Sequence, residues 1–165
     1  DVEELSEQIA NFAASMAEKL RQQRSVVTEM AVFAYTNRFK DNEPQTYGNS
    51  LVHFIQPTSD QRTIVGRAVA AAHELYKSGY GYKKAGVVAT HILQESDVVP
   101  SLFEDTQVSE REHRITSALD VINGTFGRGT VKLAAQGSGR IKAASENQSP
   151  HYTTLWDDLP LVSVK

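Results

Sequence analysis

The sequence predicts an α+β fold: a two-layer sandwich in which an antiparallel sheet carries two helices on one face. Three observations predict it. Apolar residues recur at spacings of three and four near the start of the chain and again over residues 60–76. Three other segments alternate apolar side chains between two faces and are rich in β-branched and aromatic residues. Finally, the order helix, strand, strand, helix, strand suits antiparallel pairing with both helices on one side. Three strands are few, and the order looks like a four-stranded fold missing its first strand.

Each element has its own justification. In the opening helix Val2, Leu5, Ile9, Phe12, Met16 and Leu20 form the apolar stripe, with acids crowding its start and bases its end, as the helix dipole prefers. Residues 28–36 form a strand with Met30, Val32 and Ala34 on one face and Ala31, Phe33 and Tyr35 on the other. A polar loop over 37–48 leads to a second strand over 50–56, so a long-looped hairpin connects the two. Pro57-Thr58-Ser59-Asp60 stops that strand and starts the second helix, with Ser59 as its N-cap. Ile64, Val65, Ala68, Val69, Ala72, Leu75 and Tyr76 line its buried stripe. Gly79 and Gly81 end it, and residues 84–93 make the third strand.

Beyond residue 95 the periodicity breaks. Residues 95–108 are acidic and free of bases, which marks a linker. Ser109-Glu110-Arg111-Glu112 fits a capping box, and Ile115, Ala118, Leu119 and Ile122 continue an amphipathic helix that Asn123-Gly124 can close. Residues 130–135 read as a short strand. The organisation expected is therefore a domain over 1–95, a linker over 96–108 and a small helix–strand appendage over 109–165. The appendage has too few apolar side chains to form much core alone, so it packs on the first domain or on a partner.

Composition excludes more than it assigns. The chain has 165 residues, 40 % of them hydrophobic, and no cysteine, so disulfides, thiolate metal sites and cysteine nucleophiles are ruled out. A reducing cytosol suits it. No apolar run approaches membrane-spanning length. The net charge of −3 lacks the basic excess of a strong nucleic-acid binder, so any cationic contacts must be gathered locally.

Catalytic and metal signals fail on spacing. His73-Glu74-Leu75-Tyr76-Lys77 begins like a zinc-peptidase helix but has Lys77 where the second histidine is required. The five histidines are scattered without ligand spacing. Gly127-Arg128-Gly129-Thr130-Val131-Lys132 lacks the ending of a phosphate loop and leads into no helix, so it reads as a turn. No catalytic residue, metal ligand or cofactor site is expected.

Two features bear on binding. Tyr80-Gly81-Tyr82-Lys83-Lys84-Ala85-Gly86-Val87-Val88 puts paired cations at the mouth of an alternating strand, where they suit a phosphate backbone. Arg38 and Lys40 in the polar loop, with Thr36, Asn37, Asn49 and Ser50 as further donors, complete the expected nucleic-acid-binding set. Ser101-Leu102-Phe103-Glu104-Asp105 places an apolar pair in an acidic tether, which suits a partner's pocket.

Several gapped motifs in order make the chain resemble the C-terminal part of UmuC-type Y-family translesion DNA polymerases. Residues 1–95 resemble the little-finger domain through Phe33-Ala34-Tyr35-Thr36-Asn37-Arg38-Phe39, the strand over 47–56 and the Tyr80–Val87 stretch. Residues 109–165 resemble the small domain of unknown function that ends many such proteins. That match runs through Ala118-Leu119-Asp120-Val121-Ile122-Asn123, Phe126-Gly127-Arg128-Gly129-Thr130-Val131, Ala134-Ala135-Gln136-Gly137 and Ser149-Pro150-His151-Tyr152-Thr153-Thr154.

The resemblance implies a βαββαβ unit whose first strand would precede Asp1, its sheet laid along the duplex of a primer–template and gripping backbone during SOS lesion bypass in a bacterial cytoplasm. It implies that the catalytic palm, with its Mg2+, lies upstream, so these residues transfer no nucleotides themselves. Leu102 and Phe103 fall where relatives bind a sliding clamp, although Val99 and Pro100 stand where that motif has glutamine and its first leucine. A UmuD-type subunit and the recombinase filament are further implied partners. An alternative role is protein docking, with Leu102 and Phe103 reaching the clamp and Tyr152, Leu155 and Trp156 packing on another subunit.

Overall fold

The protein is described from a computed structural model that covers residues 1–40, 42–99 and 106–138, with all side chains except those of residues 106–110, 112 and 113. Helix α1 spans Val2–Gln22 and opens on a capping box: the Glu4 amide donates to the Asp1 carboxylate at 3.0 Å. Leu5, Ile9 and Leu20 are buried as expected, but Phe12 is 42 % exposed, and the rest of the buried face is Ser6, Ala10, Ala13, Ala14 and Ala17. The buried stripe is thus rotated towards the alanines. The reason is the neighbour: α1 packs on α2, which buries Ala68, Ala71 and Ala72 in the same core. Small facing side chains let two helix axes approach closely.

Arg24, with φ 51°, turns the chain from α1 into the sheet. Strand β1 spans Ser25–Thr36, β2 Tyr47–Thr58 and β3 Tyr82–Gln94, each a few residues longer than expected. All pairing is antiparallel, in the order β2-β1-β3. Met30, Val32 and Ala34 are fully buried against the helices, together with Val27. Their partners across the ladder, Val52 on β2 and Ala85, Val87 and Ala89 on β3, join the same core. Full burial of side chains such as Ile9, Met30 and Ile64 stabilises by about 1.5–3 kcal/mol each.

Helix α2 spans Gln61–Leu75, and its N-cap is Asp60, one residue beyond the serine expected in that role. Asp60 accepts from the Thr63 amide and hydroxyl, both at 2.8 Å, while Ser59 offers its carbonyl to Arg21 instead. Leu75 and Tyr76 still pack on the core, but Tyr76 has left the helix for extended backbone.

Two expectations for the C-terminal part are corrected. Helix α3 spans Thr106–Phe126, so it begins before Ser109 and runs past Asn123-Gly124. No strand forms over 130–135; a turn and a short 3-10 helix, Ala134–Gln136, stand there. Strand propensity needs an edge to pair with. Here the Asn123 side chain accepts from the Val131 amide at 2.9 Å and donates to its carbonyl at 3.0 Å, which satisfies that backbone without one.

This C-terminal part docks on the outer side of the helix layer. Arg21 bonds Asp120, Arg128 bonds Glu18 at 2.7 Å, and the Thr116 hydroxyl bonds Asp60 at 3.0 Å. Gln136 is buried between α1 and α2, donating to Asn11 at 3.3 Å and accepting from Gln61 at 3.4 Å. The sheet's opposite face is left open by the described residues.

Candidate nucleic-acid interface

Strand parity builds the open face. Because successive side chains point to opposite sides of a sheet, the residues between the buried Met30, Val32 and Ala34 share the other face. The registers then lay out rows across the three strands: Tyr47, Tyr35 and Lys84; Asn49, Phe33 and Gly86; Leu51, Ala31 and Val88. At the far end His53 Nδ1 lies 3.1 Å from Glu29 Oε2. The face therefore runs from a cationic end to an acid-bearing one.

The cationic end depends on an irregularity. Tyr35 pairs with Lys84 but Thr36 with Tyr82, which leaves Lys83 as an extra residue in β3. Such a bulge re-aims side chains at a strand end, and both lysines are exposed there. Tyr82 keeps the segment fixed: its hydroxyl donates to the Leu75 carbonyl at 3.1 Å and accepts from the Lys77 amide at 2.8 Å. A groove beside the lysines is walled on the α1 side by Asp1 and Glu4, so anions are favoured from the sheet side only.

The other expected contacts divide. Arg38 is exposed in the β1–β2 loop, at the Tyr35 end of the sheet. Lys40 is in the same loop, but its ammonium is 2.6 Å from Glu43, which neutralises much of its charge. Asn37 shapes the loop by accepting from the Phe39 amide at 3.1 Å. Thr36 is taken off the open face. It is 3 % exposed, and its hydroxyl bonds Gln45 Oε1 at 2.7 Å and accepts from the Thr46 amide at 3.0 Å. Ser50 is taken off too, because it pairs with buried Val32 and shares its helix-side parity; Asn49, one residue earlier, is the polar group on the open side. Leu102, Phe103, Tyr152, Leu155 and Trp156 lie outside the described residues.

Sequence reasoning passed over the aromatic part of this face. Phe33 and Tyr35 stack with centroids 6.0 Å apart at 22°, and Tyr47 lies 6.2 Å from Tyr35. The alternation already assigns Phe33 and Tyr35 to the side away from Met30 and Val32, so the signal was present in two residues. The alternation starts β2 at Ser50 and so leaves out Tyr47, which the family resemblance already put at the head of that strand.

Among the described residues no group of three or more His, Asp or Glu is placed to hold a metal, and no helix is long and apolar enough to cross a membrane. Residues 1–102 match the C-terminal domain of the impB/mucB/samB family, well over half of the chain. This chain belongs to that family. Residues 113–162 match DUF4113, a domain of unknown function.

Among impB/mucB/samB relatives, Protein UmuC of Salmonella typhimurium is 34 % identical over 96 % of this chain, and Protein ImpB of the same organism 31 % over 98 %. Protein SamB, also from Salmonella typhimurium, is 33 % identical over 96 % of the chain. The chain covers only 38 %, 38 % and 37 % of these three relatives.

Proposed function

We propose that this chain is the non-catalytic, nucleic-acid-holding C-terminal part of an error-prone translesion DNA polymerase, and that its sheet grips the primer–template. Membership of the impB/mucB/samB family supports the polymerase part of this reading. The observation that carries the grip is the β3 bulge, which sets Lys83 and Lys84 side by side at the end of the open face where Arg38 also lies.

The mechanism is positioning by charge. Cations on a sheet rim attract phosphates of any sequence and release their counterions on contact. With a net charge of −3 the chain repels nucleic acid everywhere except where cations are gathered, so the hold is oriented but loose. A loose, sequence-blind hold suits a polymerase that must pass damaged template. Nucleotide transfer is assigned to the part of the polymerase outside these residues.

The test is a titration of a fluorescent primer–template with the chain at several salt concentrations, beside Lys83→Ala and Lys84→Ala. Each lost phosphate contact flattens the plot of log K against log salt by about 0.9. An unchanged slope removes the lysines from the interface.

A further inference from the structure

Helix α3 is fastened to the helix layer by its polar side. Thr116 bonds Asp60, Asp120 bonds Arg21, and Asn123 holds the Val131 backbone as the chain turns back along the helix. With about 3.6 residues per turn, positions 116, 120 and 123 fall on one side. Among the described side chains of α3, only that of Thr116 is buried.

The apolar stripe of α3 lies about a quarter-turn away from that side. Ile115, Leu119, Ile122 and Phe126 recur at spacings of three and four, as a core-facing stripe does. Yet Phe126 is 74 % exposed, Ile115 36 %, and Leu119 and Ile122 are only partly buried. The described chain after α3 does not cover them. Val131 is itself 37 % exposed, and Leu133 packs on the core of the two-layer domain instead. Four apolar side chains in a row along one helix are costly to leave in water.

We propose that residues 152–159 of the same chain pack on this stripe and close a small core of the C-terminal part, with Trp156 as the largest side chain buried there. Three observations select this occupant. The DUF4113 match spans residues 113–162, so it takes in both the stripe and this segment, and a domain buries a core of its own. Tyr152, Leu155, Trp156 and Leu159 recur at i, i+3, i+4 and i+7, the spacing that gathers side chains on one side to meet a helix stripe. The reach is also sufficient. Gln136 bonds Gln61, Gln61 accepts from Arg21, and Arg21 holds Asp120, so the chain leaves the helix layer beside α3. From Ser138 to Tyr152 it can span roughly 45 Å, against about 30 Å for the whole of α3. Seated there, Leu155 and Trp156 are not free to dock on another subunit, and a partner would first have to displace them. The inference stands apart from the nucleic-acid reading, and neither depends on the other.

Trp156 is the only tryptophan in the chain, so its emission reports on this contact directly. The experiment records emission and acrylamide quenching of the full chain, wild type beside Ile122→Asp, Phe126→Ala and Val121→Asp. Val121, 67 % exposed on a different side of α3, serves as the control. Phe126→Ala removes an exposed ring and leaves a good helix former, so it tests the stripe without endangering the fold. The expected result is blue-shifted, weakly quenched emission in the wild type. Emission moves to longer wavelength and quenching rises several-fold in Ile122→Asp and Phe126→Ala, while Val121→Asp matches the wild type. Circular dichroism confirms the fold of each variant.

Strongly quenched, water-like emission in the wild type overturns the inference. So does shielded emission that neither Ile122→Asp nor Phe126→Ala alters, which puts Trp156 against another surface. Shielding that is lost on dilution, with a wild-type dimer by sedimentation, assigns the stripe to a second copy of the chain and overturns the intramolecular contact as well.

Discussion

Arg21 holds Asp120 through two parallel bonds of 2.6 Å, from Nε to Oδ2 and from Nη2 to Oδ1, across 99 positions of sequence. The same guanidinium donates to the Ser59 carbonyl at 2.9 Å, so one side chain joins the end of α1, the start of α2 and the flank of α3. Arg21 is only 12 % exposed, and its planar fork matches a carboxylate in a way that lysine cannot. The C-terminal part is thereby fastened to the helix layer by polar geometry more than by apolar burial.

Asp120→Ala should therefore lower stability by roughly 1–2 kcal/mol, the lower part of the range for bonds to charged groups, because Asp120 is 38 % exposed and water screens the pair. Arg21→Lys should recover only part of the pairing. Urea unfolding checks the magnitude, and limited proteolysis checks the place, with cleavage accelerating within α3.

Asp60 gives a pH dependence. Burial works to raise its carboxyl, but the Thr63 amide and hydroxyl, the Thr116 hydroxyl and the Arg62 guanidinium outweigh it and hold the carboxyl below the ordinary aspartate value. A group depressed on folding stabilises above its unfolded value, about 3.9, and loses that contribution as pH falls through the folded value. The stability gap between wild type and Asp60→Asn, which keeps a capping oxygen, should stay constant from about pH 7 to pH 5 and shrink below about pH 4. Unfolding curves at stepped pH measure it.

Gly86→Ala should force the Phe33 ring off the sheet, since the added methyl falls within 2.7 Å of it. Because only the far end of that ring has to swing aside, the cost should fall below the roughly 1–3 kcal/mol of overpacking a closed core. Thermal unfolding reads that cost.

The rotated stripe of α1 is testable by contrast. Ile9→Ala removes a fully buried side chain and should cost about 2–5 kcal/mol. Phe12→Ala removes a larger but 42 % exposed one and should cost about 1 kcal/mol. Denaturant midpoints in that order support the alanine-faced packing; the reverse order contradicts it.

Much of the fold is legible because its signals are local. The alternation of Met30, Val32 and Ala34 against Ala31, Phe33 and Tyr35 follows from strand geometry alone, and it placed both faces of β1 correctly. The spacing of Ile64, Val65, Ala68 and Ala72 did the same for α2. Where reading failed, the deciding group was remote or inconspicuous. Alanines do not declare a buried face as Phe12 does, so the α1 stripe was drawn through the largest side chains. Thr36 and Ser50 looked like free hydroxyls beside a polar loop, although parity with Ala34 and Val32 puts both on the helix side.

The sequence by itself determined the two-layer class, the order of elements over residues 1–95 and the two faces of β1, because helix and strand periods are properties of neighbouring residues. Only the tertiary structure decided that Phe33 lies over Gly86, that a bulge brings Lys83 beside Lys84 at the rim, and that Asp120 reaches Arg21. Each of these depends on register or docking between segments far apart in the chain, and that is set by the fit of whole faces, which no local pattern records.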